Sequence, residues 1–381
     1  MDTDRPQNKI RVLPCKSVVA LVLFSFGQTA YPYPMRITVL ASGSKGNSTV
    51  ISSGRTRILV DAGLSCRELT RRMSLTGEDA CTLDAIVITH EHIDHVAGLP
   101  VLARKLGIPV YFTEGTHSAW ARMITPKNTM SYAQWLENMQ AQKLARAEAT
   151  AAAAAAANAL DPEVPEPVIE PPPIQAAIDA ELATKPAHSH RLPPEPEPEE
   201  CAPELAIKAQ KDPAFLPSLQ FFQPGTAFSI GDIAVNPFTT PHDAADPCGL
   251  VFESGGIRIA VATDLGYIPP NVKSALKRID VMLLESNHDL EMLRDGPYPW
   301  SVKQRVLSRV GHLSNDTTAQ FLERDYDGHA SWIILGHISE SNNVPELARL
   351  AAERALINRA SLLGNRLLLA HQSTPLDPIS L

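Results

Sequence analysis

Thr89-His-Glu-His-Ile-Asp-His95 follows directly on an apolar run, Ala85 to Ile88, and no other stretch of the 381 residues restricts the fold as strongly. Three imidazoles and a carboxylate on a loop at a strand's end can converge on two adjacent cations, as a helix or a strand would not allow. One histidine on an apolar face is ordinarily packing. His-x-His-x-Asp-His is not.

The surroundings supply the strand that this reading needs. From Met35, Ile37 to Leu40, Ser48 to Ile51 and Arg57 to Val60 are short β-branched runs split by glycine turns, which predicts antiparallel strands. Cys66 to Met73 and Val96 to Leu106 are predicted helices, the second stopped by Gly107, and Pro109 to Phe112 is a strand. Strands resume at Ala227 to Ile230, Ile233 to Val235, Gly249 to Glu253 and Ile257 to Ala262. Helices and strands then alternate to the end, with Val281 to Leu284 and Ser331 to Leu335 each ending in a polar cluster. Two similar halves around one insertion predict an α/β (α+β) fold, a four-layer αββα sandwich.

The insertion, 127–217, is Ala-rich and then Pro/Glu-rich, with 14 of the 32 prolines. It carries 14 acidic and 7 basic residues, a net −7 out of the chain's −8, so the remainder is near neutral. Such a composition predicts an Ala-rich helix leading into a disordered tether that packs no core and offers a contact for a protein partner. The expected domain is therefore 35–126 joined to 218–381. Residues 1–34 read as a leader: Ser17 to Phe26 resembles the apolar region of a signal peptide and is too short to span a bilayer. Met35 at the start of the first core strand favours a dispensable extension, and no membrane association is expected. Five scattered cysteines without a CxxC pair point to a reducing compartment, and so to the cytoplasm.

At the histidine motif the chain resembles the metallo-β-lactamase superfamily. That resemblance implies His90 and His92 on one metal and Asp94 and His95 on the other. It also implies a further histidine, a bridging acid and a last histidine, matched by His242 in Thr240-Pro-His-Asp243, Asp264 in Thr263-Asp-Leu-Gly266, and His337, which ends an apolar strand. His312, before a predicted helix, competes for the last position and reads better as a residue contacting substrate. His288, after a strand, reads equally as a site residue or as part of a buried network. Asp61, at a strand end in Asp61-Ala-Gly63, is expected to orient a ligating histidine, or else to be a simple turn residue. The Ala41 to Asn47 loop reads either as a hairpin turn or as a cradle of backbone N–H groups for phosphate.

Two cations held by His and Asp lower the pKa of water and stabilise both oxygens of an in-line displacement, so hydrolysis is the natural chemistry. Nitrogen and oxygen donors admit zinc or manganese. The motifs Ala41-Ser-Gly-Ser-Lys-Gly-Asn47, Pro241-His-Asp-Ala244, Glu285-Ser-Asn-His288, Gly311-His-Leu-Ser-Asn315 and Gly336-His-Ile-Ser339 together look like the YycJ/WalJ family. This implies a 5′-to-3′ DNA exonuclease, with Asp94, His312 and His288 as catalytic candidates and DNA as substrate. Two other readings remain open: a hydrolase of a small phosphodiester or (thio)ester, and a regulatory scaffold acting through the Pro/Ala tract.

Overall fold

The computed structural model describes residues 35–125, 212–357 and 366–381. The leader and nearly all of the expected insertion lie outside the described residues. The chain divides into two units, Met1–Ala119 with Leu216–Leu381, and Trp120–Phe215. Both sheets belong wholly to the first.

One sheet contains β1 (Arg36–Ala41), β2 (Ser48–Ser52), β3 (Arg57–Val60), β4 (Ala85–Val87), β5 (Pro109–Phe112) and β6 (Ser218–Phe221) in chain order. The other contains β7 (Phe228–Ile230), β8 (Ile233–Thr239), β9 (Cys248–Ser254), β10 (Ile257–Ala262), β11 (Val281–Glu285), β12 (Trp332–Gly336) and β13 (Arg366–Leu369). The last strand, β14 (Ile379–Ser380), returns to flank β1. Each sheet begins as antiparallel hairpins and then turns parallel, from β3 to β6 and from β10 to β13. Parallel strands need crossover connections, and all their C-terminal ends emerge on one edge.

Period-two alternation assigns each sheet's faces. Ile259 and Val261 of β10, Val281 and Leu283 of β11 and Ile334 of β12 pack with Val39, Ile51, Ile58 and Val60 of the first sheet, so one core lies between the sheets. Their neighbours Ala260, Ala262, Met282, Leu284, Ile333 and Leu335 face the other way, onto a second core that includes Phe321, Leu322, Ala348 and Ala352. Strands covered on both faces become nearly continuous apolar runs.

Among the described residues the helices are α1 (Cys66–Leu75), α2 (Ile93–Val96), α3 (Leu99–Leu106), α4 (Glu114–Ile124), α5 (Pro270–Ala275), α6 (Leu290–Asp295), α7 (Trp300–Val306), α8 (Asn315–Arg324) and α9 (Pro345–Leu356). Leu69 and Met73 of α1 and Leu102 of α3 are fully buried, and α1 packs on β1. Helices therefore cover the outer face of each sheet, giving the αββα sandwich. Among the described residues no helix is long and apolar enough to cross a membrane.

Two local expectations are corrected. The single helix Val96 to Leu106 is two helices with a break at Ala97-Gly98. Gly98 gives its N–H to the Ala62 carbonyl, and a Cβ there would lie 2.0 Å from the Leu64 carbonyl oxygen. Pro100 has no N–H to continue a helix from α2. The strand expected to end at Val235 runs on to Thr239, paired with β9 to its end; β7 reaches only Val235, so Pro237 needs no N–H on that side, where its carbonyl accepts from the Gly225 N–H.

Candidate metal centre

The site forms where the parallel strands end. Asp61 follows β3, His90 comes shortly after β4, Asp264 follows β10, Glu285 is the last residue of β11, and His337 follows β12. Asp61, Asp264 and His337 all have left-handed backbone, with φ of 59°, 61° and 54°. That conformation costs an L-residue roughly 1–2 kcal/mol. Three such residues, one after a strand of the first sheet and two after strands of the second, mark strand ends bent to aim side chains at a common point.

In His90, His92 and His242 one nitrogen is tied down and the other turned inward. His92 donates from Nε2 to the Asp243 carbonyl (3.2 Å), and His242 from Nδ1 to the Gly311 carbonyl (3.1 Å). Both remaining nitrogens are therefore lone-pair acceptors, and they face one another at 3.2 Å. His90 reaches the Thr89 hydroxyl through Nδ1 (3.1 Å), while its Nε2 is buried without a partner. Three inward nitrogens without a proton to share suit a cation. One donor atom from each of His90, His92 and His242 lies within 4.8 Å of the others.

The second cluster is anionic. His95 donates from Nδ1 to Asp61 (2.8 Å), leaving Nε2 3.6 Å from Asp94 and 3.4 Å from Asp264 Oδ2. The same Asp264 oxygen is 3.3 Å from His337 Nδ1. Its other oxygen is 3.8 Å from His242 Nε2, so the carboxylate stands between the clusters. Burial works to lower the pKa of His95 and His337, yet it is outweighed by Asp264, with help from Asp61 and Asp94 at His95; the two rise to about 10 and about 9. Burial would raise Asp264, but the charges of His337 and His95 hold it well below the usual range. His90, by contrast, is pushed far down by burial and by the charge of His95. A pocket whose negative charge holds protons on buried imidazoles is one that divalent cations neutralise. The donor set fits them: His90, His92 and His242 lie together, His95 and Asp264 group with His90, and Asp264 and His337 group with Glu285 and His312, while Asp94 stands 3.6 Å from His95 and joins none of these groups.

The remaining candidates separate. Asp61 accepts from the Thr89 N–H and hydroxyl (2.8 Å each) as well as from His95. His312 lies near Asp264 and His337, but its Nδ1 is engaged by Glu285 Oε1 at 2.6 Å, whereas His337 Nδ1 has no hydrogen-bond partner. Among the described residues His288 is absent from every metal-competent group, and it lines a pocket together with His312.

The Ala41 to Asn47 loop is not an anion cradle. Ser42, Gly43, Lys45, Gly46 and Asn47 all spend their N–H groups on protein acceptors, respectively His371, Asn47, Gln372, Gly43 and Asp94. Its product is Asn47, whose Nδ2 contacts Asp94 Oδ2 (3.1 Å) and His95 Nε2 (3.0 Å). Sequence reasoning missed Asn47, and it also missed Glu285, which is fully buried and holds both His312 and the Leu265 N–H. An acid as the last residue of an apolar strand was the available signal. Arg305 was missed too. Its side chain is 61% exposed and pairs with Asp243, beside His242.

Exodeoxyribonuclease YycJ of Bacillus anthracis is 29% identical over 322 residues, covering 84% of this chain and 89% of its own. Exodeoxyribonuclease WalJ of Streptococcus pneumoniae is 29% identical over 315 residues, 83% of this chain and 86% of its own. The metallo-beta-lactamase fold protein YhfI of Bacillus subtilis superposes with a TM-score of 0.51 at 13% identity, over 90% of this chain and 99% of its own, which shows the shared fold. Residues 41–298, which include six of the seven histidine and aspartate donors of the two clusters and the two strand ends that aim Asp61 and Asp264, match the metallo-beta-lactamase superfamily, and the chain belongs to it.

Proposed function

We propose that this metal-dependent hydrolase is a dinuclear phosphodiesterase that removes nucleotides from DNA 5′ ends. The observation that carries the dinuclear reading is Asp264, a buried carboxylate with one oxygen toward His242 and the other toward His95 and His337. DNA and attack from an end are supported by the likeness to two exodeoxyribonucleases, and the 5′ direction by the resemblance of the motifs to the YycJ/WalJ family. When bound, two zinc or manganese ions supply Lewis acidity and a nucleophilic water at neutral pH.

The chain's own residues do the rest. Asp61, the Asp243 carbonyl and the Gly311 carbonyl fix which nitrogen of His95, His92 and His242 carries a proton. Glu285 holds His312 by Nδ1, so Nε2 is the nitrogen that can exchange a proton with a leaving oxygen. Arg305, anchored on Asp243, brings a positive charge that complements a phosphate. Contact with a protein partner through 127–217 is supported by that segment's composition alone, and a cytoplasmic location by the cysteine pattern.

The test is digestion of 5′- and 3′-labelled duplex and single-stranded DNA by metal-loaded protein, with stepwise mononucleotide release from the 5′ end expected. If both DNA forms survive while bis(p-nitrophenyl) phosphate is cleaved, the exonuclease reading gives way to that of a small-phosphodiester hydrolase.

A further inference from the structure

A pocket of about 540 Å³ opens beside His312 and Gly266 and runs along α8 and α9. Its volume lies in the range that takes a small organic ligand, about 300–1,000 Å³. His288 lines it. This side chain is 1% exposed, and neither ring nitrogen has a hydrogen-bond partner. Leaving a buried polar atom unpaired costs about 1–3 kcal/mol, so two on one ring, at a pocket wall, point to a ligand that supplies the missing bonds. Burial, opposed by Glu285, brings the pKa of His288 down to about 4. The ring is therefore neutral near pH 7 and presents one donor and one acceptor.

The rest of the lining is equally mixed. Leu290 and Leu307 are 44% and 49% exposed apolar side chains. Gln320 and Thr317 add polar groups, and Arg324 and Arg354 add positive charge against Asp316 and Glu323. An inorganic anion would not need the leucines, and a purely apolar ligand would leave His288 unpaired. A unit with a flat heteroaromatic body, hydroxyls and one phosphate matches all three kinds of group. His312 belongs to this wall and also to the group containing Asp264 and His337, so the pocket is continuous with the metal centre.

We infer that this pocket holds the terminal nucleotide of the polynucleotide, base and sugar included, with His288 hydrogen-bonded to it. The inference rests on the phosphodiesterase reading for its substrate class. It also changes the role of His288, from a catalytic candidate to a positioning residue that holds the terminal nucleotide.

Calorimetric titration of the metal-loaded full chain with dAMP, deoxyadenosine and inorganic phosphate tests it. His288→Phe removes both ring nitrogens. Gln320→Trp, on an exposed helix face, fills the pocket without touching the core. We expect dAMP to bind more tightly than phosphate, and both variants to weaken dAMP by roughly tenfold or more, with metal content and phosphate affinity as in the parent. Unchanged dAMP affinity in Gln320→Trp would overturn the proposal, even if His288→Phe fails to fold. DNA digestion run in parallel reports separately on the exonuclease reading: DNA cut by a protein whose dAMP binding ignores both variants removes the pocket and leaves that reading standing.

Discussion

The two donor clusters lie a few ångströms apart and differ in kind. His90, His92 and His242 form an all-imidazole set, two of its members held by backbone carbonyls. The other set joins two imidazoles to Asp94 and Asp264, and holds its histidines through the carboxylate of Asp61 and, for His337, beside Asp264. Imidazole suits zinc, while carboxylate admits harder cations such as manganese. The contrast teaches that one site can combine a position selected by geometry with one selected by charge. It also predicts unequal binding of the two ions.

Asp264 is shared, so its loss should abolish the contrast. Asp264→Ala is expected to lower metal content at both positions and to reduce hydrolysis by more than about 10³-fold. Elemental analysis of the variant checks it; retention of two ions per chain would remove the bridging role.

Asp94→Ala should sharpen the contrast instead. It touches only the anionic cluster, so one ion is expected to be lost and one kept, with activity down by about 10³-fold. Circular dichroism should barely change, because Asp94 is only half-buried and is not among the apolar residues that build the core. His92→Ala should empty the other position. If either variant empties both positions, the clusters are a single cooperative unit.

His312→Ala is expected to leave both ions in place and to slow turnover by about 10²-fold, the lower end of what a positioned acid or base contributes. Loss of metal from this variant would make His312 a ligand and reopen its competition with His337.

How much of this was legible in the sequence differs between the clusters as well. His90 and His92 lie in the loop after β4, where all four were expected, but Asp94 and His95 lie in the short helix α2 that follows; their spacing alone still announces a metal. His242, Asp264 and His337 are single residues at the ends of three strands, recognisable by resemblance and by strand-end position but not by spacing. Glu285, Asn47 and Arg305 were missed because each acts through a partner distant in sequence: His312, Asp94 and Asp243. The helix break at Gly98 was missed because its cause, the Leu64 carbonyl, is a tertiary contact. The strands were legible because burial on both faces writes nearly continuous apolar runs directly into the chain.

The smallest expected effect concerns Asp61, which serves both clusters unequally. It binds His95 directly, but reaches His90 only through the Thr89 hydroxyl, which donates to Asp61 and accepts from His90 Nδ1. In Asp61→Asn one side-chain oxygen survives to receive the Thr89 N–H, and asparagine tolerates the left-handed backbone at φ 59°. The other oxygen becomes an NH₂ group facing His95 Nδ1–H, donor against donor. His95 must then carry its proton on Nε2, the nitrogen turned toward Asp94 and Asp264. We expect the anionic position to bind its ion about 10- to 100-fold more weakly, while the imidazole position changes little. Thr89→Val should produce the converse, a small loss at His90 with His95 still held by Asp61. Titration of metal-free protein with Zn²⁺ and with Mn²⁺ reads both positions. Equal weakening of the two positions in Asp61→Asn would mean that Asp61 holds the whole motif loop rather than one ring.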